Sequence, residues 1–193
     1  MRLTALAALV LAGACSAAAP TDPATSDMAA GEARAITARG RAIDGDTVSI
    51  DIRLSGADAF ESRQLCRGNA GCWQCGKAAQ DFAARALKSG DATIRLSGAA
   101  SYGRPVGIVT IEGRDLGETM IAAGLAVPVT GYLNNDPARA RRYVIAYNGA
   151  VLSRAGAHAG SFIEPARWRR GERLSCEARG SPRPPRSSRP PGK

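Results

Sequence analysis

Between Ile43 and Glu61, in the stretch IDGDTVSIDIRLSGADAFE, five carboxylates (Asp44, Asp46, Asp51, Asp58 and Glu61) surround one arginine, Arg53. The chain as a whole is basic, with a pI of about 10.0 and a net charge of +9, so this density of acids stands out. Asp46, Asp58 and Glu61 offer the oxygen ligands that a hard divalent cation takes. Arg53 and, further along, Arg104 in SYGRPVG offer guanidinium forks that match phosphate oxygens. A divalent ion and two guanidiniums together would suit a phosphodiester. They offset its charge and stabilise the further charge that grows on the phosphoryl oxygens in the transition state. A glutamate can orient or deprotonate the attacking water. The spacing also has a plainer reading, because acids beside a strand end are commonly turn residues.

These residues need a scaffold. VSIDIRL alternates strictly, with Val48, Ile50, Ile52 and Leu54 on one side and Ser49, Asp51 and Arg53 on the other, which predicts a half-buried strand. ATIRLSG and PVGIVTIEG read as further strands. KAAQDFAARALKSG places Ala79, Phe82, Ala83, Ala86 and Leu87 at helical spacing, with Gly90 after its end. DLGETMIAAGLA reads as a shorter helix closing at Gly124. A third helix opens at NDPARARRYVIAYNGAVLSRAG, with Asp136 as N-cap and Pro137 at the first helical position. Gly149 lies inside that third helix and weakens the expectation of an unbroken one. Strands, helix, strands, helix, helix is the order of a small α+β domain, here spanning 35–170.

The ends read differently. MRLTALAALVLAGAC has one arginine, a short apolar run and then small residues, the pattern of a signal peptide over 1–15. LAGAC also resembles a bacterial lipoprotein signal, which makes Cys15 a candidate lipid anchor. The run is too short to span a bilayer, and no transmembrane helix is expected in the mature chain. Residues 16–34 are small, polar and proline-containing, and read as a linker. Residues 171–193 form a basic tail whose last part, RGSPRPPRSSRPPGK, has nothing large and apolar to bury. The central region is basic in its own right: residues 36–170 hold 18 basic and 12 acidic side chains. Such a surface favours polyanions, nucleic acid among them, although basic residues also serve plain solubility. Four cysteines follow Cys15: Cys66, Cys72, Cys75 and Cys176. In an exported chain they predict two disulfides with three possible connectivities; a redox CWQC and a four-cysteine zinc site are the other uses of such residues. The single histidine, His158, leaves little room for histidine-based metal chemistry.

Six segments in order resemble the staphylococcal-nuclease-like (thermonuclease) domains: IDGDTV, RLSGADAFE against the family's R-L-x-G-x-D-A-P-E, CGKAAQDFAARAL, SYGRPVG, IAAGLA and AHAGSFIEPARWRR. The resemblance implies a five-stranded OB-type β-barrel with about three packed helices, a fold whose groove takes nucleic acid strands. It implies calcium-dependent hydrolysis of phosphodiester bonds in DNA or RNA. Asp46 and Asp58 would bind Ca²⁺ through their carboxylates and Ala59 through its backbone carbonyl. Glu61 would position the attacking water, and Arg53 and Arg104 would grip the phosphate. Asp44 matches a family aspartate, with its role left open. The sequence departs from the pattern at Ala100, where the family has Asp, at Phe60 (Pro), at His158 (Trp) and at Tyr147 (Glu), positions read as structural.

The resemblance also bears on the opening stretch. The family has a hairpin between DGDT and the RL strand, whereas only six residues separate Asp46 from Arg53 here. In one straight strand these two would stand about 23 Å apart at ~3.3 Å per residue, beyond the reach of any shared ion. A reversal or bulge near Ser49–Asp51 is therefore expected. Family members often carry the pair matching Cys66 and Cys75, which implies Cys66–Cys75 and, by remainder, Cys72–Cys176. Two functions follow from different classes. One is an exported, monomeric Ca²⁺-dependent nuclease of the periplasm, cell envelope or medium. The other is a non-catalytic envelope module that binds nucleic acid or another partner.

Overall fold

The computed structural model describes residues 36–178. The signal peptide, Cys15, the linker and the tail from Arg179 lie outside the described residues. Strands β1 (Gly40–Ala42) and β2 (Val48–Ile50) form an antiparallel ribbon. β3 (Arg53–Leu54), β4 (Ala57–Ala59), β5 (Cys66–Gly68) and β6 (Gly71–Trp73) follow, then helix α1 (Cys75–Lys88). β7 (Ala92–Ser101) and β8 (Arg104–Ile111) make the long hairpin, and β9 (Arg114–Asp115) leads into α2 (Leu116–Ala122). β10 (Ala126–Pro128), α3 (Pro137–Leu152), α4 (Pro165–Arg169) and α5 (Ser175–Ala178) complete the order. The class is α+β. Among the described strands the ladders are β1–β2, β3–β8–β7 with β9 on β8, β4–β10 and β5–β6, and they do not close into one ring.

The long hairpin is set by its turn. Tyr102 and Gly103 both have positive φ (52° and 75°), the two-residue geometry whose twist matches that of paired strands. β8 then alternates: Pro105, Gly107, Val109 and Ile111 are buried while Arg104, Val106, Ile108 and Thr110 are half-exposed. The core gathers Val109, Ile111, Leu116, Met120, Ile121, Leu125 and Tyr143 with Ala57 and Phe60. α3 runs unbroken through Gly149, where a side chain would meet open space. The Asp136 carboxylate caps it by accepting from the Arg139 N–H at 3.0 Å.

VSIDIRL is not one half-buried strand. It breaks at Asp51–Ile52, with β2 pairing to β1 and β3 to β8. Val48 is 67% exposed and Ile50 is exposed as well, whereas Ser49 is half-buried, the reverse of the expected faces. The physical reason is the partner: β2 pairs only with β1, and that ribbon has no further strand in its ladder.

Three of the four departures from the family pattern meet in one place. Phe60, Phe162, His158 and Tyr147 stack edge to face in sequence, with ring centres 5.1, 5.3 and 4.9 Å apart. Burial among these rings holds the His158 imidazole below its ordinary value of about 6.5, favouring the neutral form. Its contribution to stability is therefore complete above about pH 6.5 and is lost as pH falls through the lowered folded value. Urea unfolding of His158→Phe should show a flatter dependence than the parent chain between pH 6.5 and 5; equal slopes in the two proteins would show that His158 contributes nothing to it.

Candidate active site

Two short strands present the candidate residues. β3 carries Arg53; the chain then turns through Ser55 and Gly56 into β4, which carries Asp58 and Ala59, with Glu61 two residues past it. Arg53 Nη2 donates to Asp58 Oδ1 at 2.8 Å. The Asp58 side chain is only 6% exposed, so its charge requires partners. Glu61 is fixed through its backbone by Gln64, which is fully buried. Gln64 Oε1 accepts from the Glu61 N–H at 3.1 Å, the Gln64 N–H donates to the Glu61 carbonyl at 2.7 Å, and Gln64 Nε2 donates to the Ile163 carbonyl at 2.6 Å. The first turn of α1 closes on the same loop. A Cβ at Gly76 would collide with the Glu61 carbonyl, and the Cys66–Cys75 disulfide ties the strand that follows the loop to the same first turn of α1.

Arg104 opens β8. Arg53 lies in register with Val106 on the adjacent strand, two residues from Arg104, so Arg53 and Arg104 share one sheet face. Asp46 sits elsewhere, in the loop of the β1–β2 ribbon. It is exposed, and its Oδ1 accepts from Thr47 Oγ1 at 3.2 Å. Asp44 has a local task there: its Oδ1 accepts from the Thr47 N–H at 2.8 Å and the Asp46 N–H at 3.3 Å, closing the turn. Those hydrogen bonds, Thr47's first, hold the Asp44 carboxyl below its ordinary value. Asp51 pairs at the surface with Arg41 at 3.5 Å.

Sequence reasoning missed Arg169, the last residue of α4. Its Nη1 donates to Asp58 Oδ1 (3.0 Å) and Glu61 Oε1 (2.7 Å), and its Nη2 donates to Asp58 Oδ2 (2.8 Å). The bonds to Asp58, followed by those to Glu61, push the Arg169 guanidinium still further toward its charged form. Arg53, Asp58, Glu61 and Arg169 thus make a closed cluster of two cations and two anions. No spacing in the sequence announces it, because 108 residues separate Glu61 from Arg169.

A calcium ion can be weighed against this arrangement. Both oxygens of Asp58 already accept guanidinium hydrogen bonds, and Glu61 Oε1 accepts another. Among the described residues no three Asp, Glu, His or Cys side chains are grouped to hold a metal, so Asp46 is not gathered with Asp58 and Glu61. As arranged, these residues do not fit the ion.

The cysteines pair as Cys66–Cys75 and Cys72–Cys176, with Cα atoms 5.6 and 6.2 Å apart. The second bond joins β6 to α5 and fixes the chain beyond α4. Trp168 packs in that region: its Nε1 donates to Glu177 Oε1 at 2.7 Å, and the Arg173 guanidinium lies 3.9 Å over its ring. Among the described residues no helix is long and apolar enough to cross a membrane.

Compared with known families, residues 51–153 match the family model described as staphylococcal nuclease homologue. No curated protein matches the chain. The matched span contains Arg53, Asp58, Ala59, Glu61 and Arg104, and leaves Asp46 and Arg169 outside it.

Proposed function

The chain belongs to the staphylococcal nuclease homologues, whose family model covers more than half of it, and from this we propose that it is an exported nuclease hydrolysing phosphodiester bonds of DNA or RNA. The observation that carries the reading is the meeting of Arg53, Asp58 and Glu61 at the β3–β4 edge, with Arg104 on the face that Arg53 shares. Arg53 and Arg104 grip the phosphate and stabilise its growing charge. Asp58 aims the Arg53 guanidinium. Glu61 orients water and takes its proton as the water oxygen bonds to phosphorus; the bond to the leaving sugar oxygen breaks, and solvent protonates that oxygen.

Ca²⁺ enters this reading as the ion that the family resemblance implies. The carboxylates as arranged do not fit it, so no step runs through it. The β3–β8–β7 sheet with β4–β10 is read as an opened counterpart of a five-stranded OB-type barrel. Export is supported by the two disulfides, which form and persist in oxidising compartments. The leader over 1–15 with Cys15 as a lipid anchor, the linker over 16–34, the domain over 35–170, the basic tail and a monomeric state belong to the same proposal.

Substituting Arg53→Lys keeps the charge and loses the fork. It should lower the rate of DNA cleavage about 10²–10³-fold, the cost of one well-placed donor to a reacting oxyanion. Filter binding of the same DNA should change far less. A cleavage rate within threefold of the parent would remove Arg53 from the chemistry. A second reading, a non-catalytic module that binds nucleic acid, is favoured by one observation: the Asp58 and Glu61 carboxylates are already paired off by Arg169. Binding without cleavage would select it.

A further inference from the structure

We propose that Arg169 is the resident cation of this site: its guanidinium holds Asp58 and Glu61 in the place of a metal ion, and a divalent ion binds these carboxylates only in competition with it. The inference rests on reading Asp58 and Glu61 as the carboxylates of the reaction site. Three observations carry it.

The first is stoichiometry. One guanidinium makes three hydrogen bonds of 2.7–3.0 Å to both carboxylates, two-pronged on Asp58 and single on Glu61. A dication would have to sit against the same two carboxylates, where its charge and that of the guanidinium repel at close range. Asp58 Oδ1 also accepts from Arg53, so no oxygen of Asp58 is left without a cationic donor.

The second is the way Arg169 is held. The backbone around it is fixed on both sides. Upstream, Ser161 and Arg67 exchange two backbone hydrogen bonds, and Gln64 takes the Ile163 carbonyl. Downstream, Cys176 is bonded to Cys72, and Arg67 Nη2 donates to Ser175 Oγ at 3.1 Å. Gln64 therefore ties the Glu61 loop and the approach to α4 into one unit, which fixes Arg169 opposite Glu61. Even so, the Arg169 side chain is 38% exposed, so it can swing toward water while its backbone stays in place.

The third is charge balance. With Arg53 and Arg169 against Asp58 and Glu61 the cluster is neutral, and Asp58, nearly buried, has no unpaired charge. Removing Arg169 leaves the two carboxylates with Arg53 alone and a net negative charge, an environment that attracts a dication.

Isothermal titration of Ca²⁺ into the oxidised full chain, without nucleic acid, tests this. Arg169→Gln should bind Ca²⁺ about tenfold more tightly than the parent or better, the scale of losing charge-assisted hydrogen bonds that compete with the ion. Arg170→Gln removes the same charge from the exposed neighbour and should leave the dissociation constant within twofold. Arg169→Lys keeps a charge but cannot fork across both carboxylates; it should fall between the parent and Arg169→Gln, and it carries the test if the glutamine variant does not fold. Equal affinities in the parent and both Arg169 variants, or no binding by any of them, would overturn the proposal. The nuclease reading fails separately. Absence of DNA cleavage by the parent at every Ca²⁺ concentration, with the affinity gain in Arg169→Gln intact, would sink that reading alone. Cleavage with no affinity gain would sink only the role of Arg169.

Discussion

Glu61→Gln should slow hydrolysis of single-stranded DNA by about 10²–10⁴-fold, the range of a lost general base. The substitution keeps the shape of the side chain and removes its basicity. It leaves the loop in place, because the loop is held through the Glu61 backbone by Gln64 and by the close approach of Gly76, neither of which uses the carboxylate. Folding should therefore survive and substrate binding should change little, so the loss should appear in kcat. A variant whose kcat lies within threefold of the parent would contradict the assignment of Glu61.

Asp115→Ala should cost about 3–5 kcal/mol of stability, as expected when one partner of a buried pair is removed. Asp115 meets three demands. Its Oδ1 caps α2 by accepting from the Gly117 N–H at 2.9 Å and the Glu118 N–H at 3.3 Å. The same oxygen accepts from the Tyr143 hydroxyl at 2.9 Å, and Oδ2 pairs with Arg139 Nε at 3.0 Å. Arg139 is 7% exposed and Tyr143 is fully buried, so water cannot replace the lost carboxylate. Burial first, and then Asp115, pushes the Tyr143 hydroxyl far above its ordinary value, so it remains a donor throughout the accessible range. Urea unfolding of the two proteins gives the difference directly, and a loss below 1 kcal/mol would show that the network relaxes.

Legibility in the sequence followed distance along the chain. Arg53, Asp58 and Glu61 lie within nine residues, so one short motif carried all three, whereas Arg104 shares the face of Arg53 only through the β3–β8 register. The helices were legible because Asp136, Pro137 and Gly124 punctuate them at the expected positions. Asp44 and Asp51 lacked an explanation until the β1–β2 ribbon supplied one, a turn cap and a surface pair. VSIDIRL misled because alternation reports a pleated strand without reporting what covers it, and β2 has only β1 beside it. Arg169 could not be read at all. It lies in a short arginine-rich segment where several neighbours look equivalent, and only the tertiary fold selects the one that reaches Asp58. Phe60, Tyr147 and His158 departed from the family pattern one by one, and only the fold shows that they meet, through Phe162, in a single aromatic stack.

The most direct test of the central claim is the fate of a 5′-labelled single strand of DNA incubated with the oxidised full chain in excess Ca²⁺, beside Glu61→Gln under the same conditions. Shortened labelled products from the parent, formed about a hundredfold or more slowly by the variant, are the expected result. DNA that is bound by the parent and left intact, or cut equally fast by both proteins, would contradict the account.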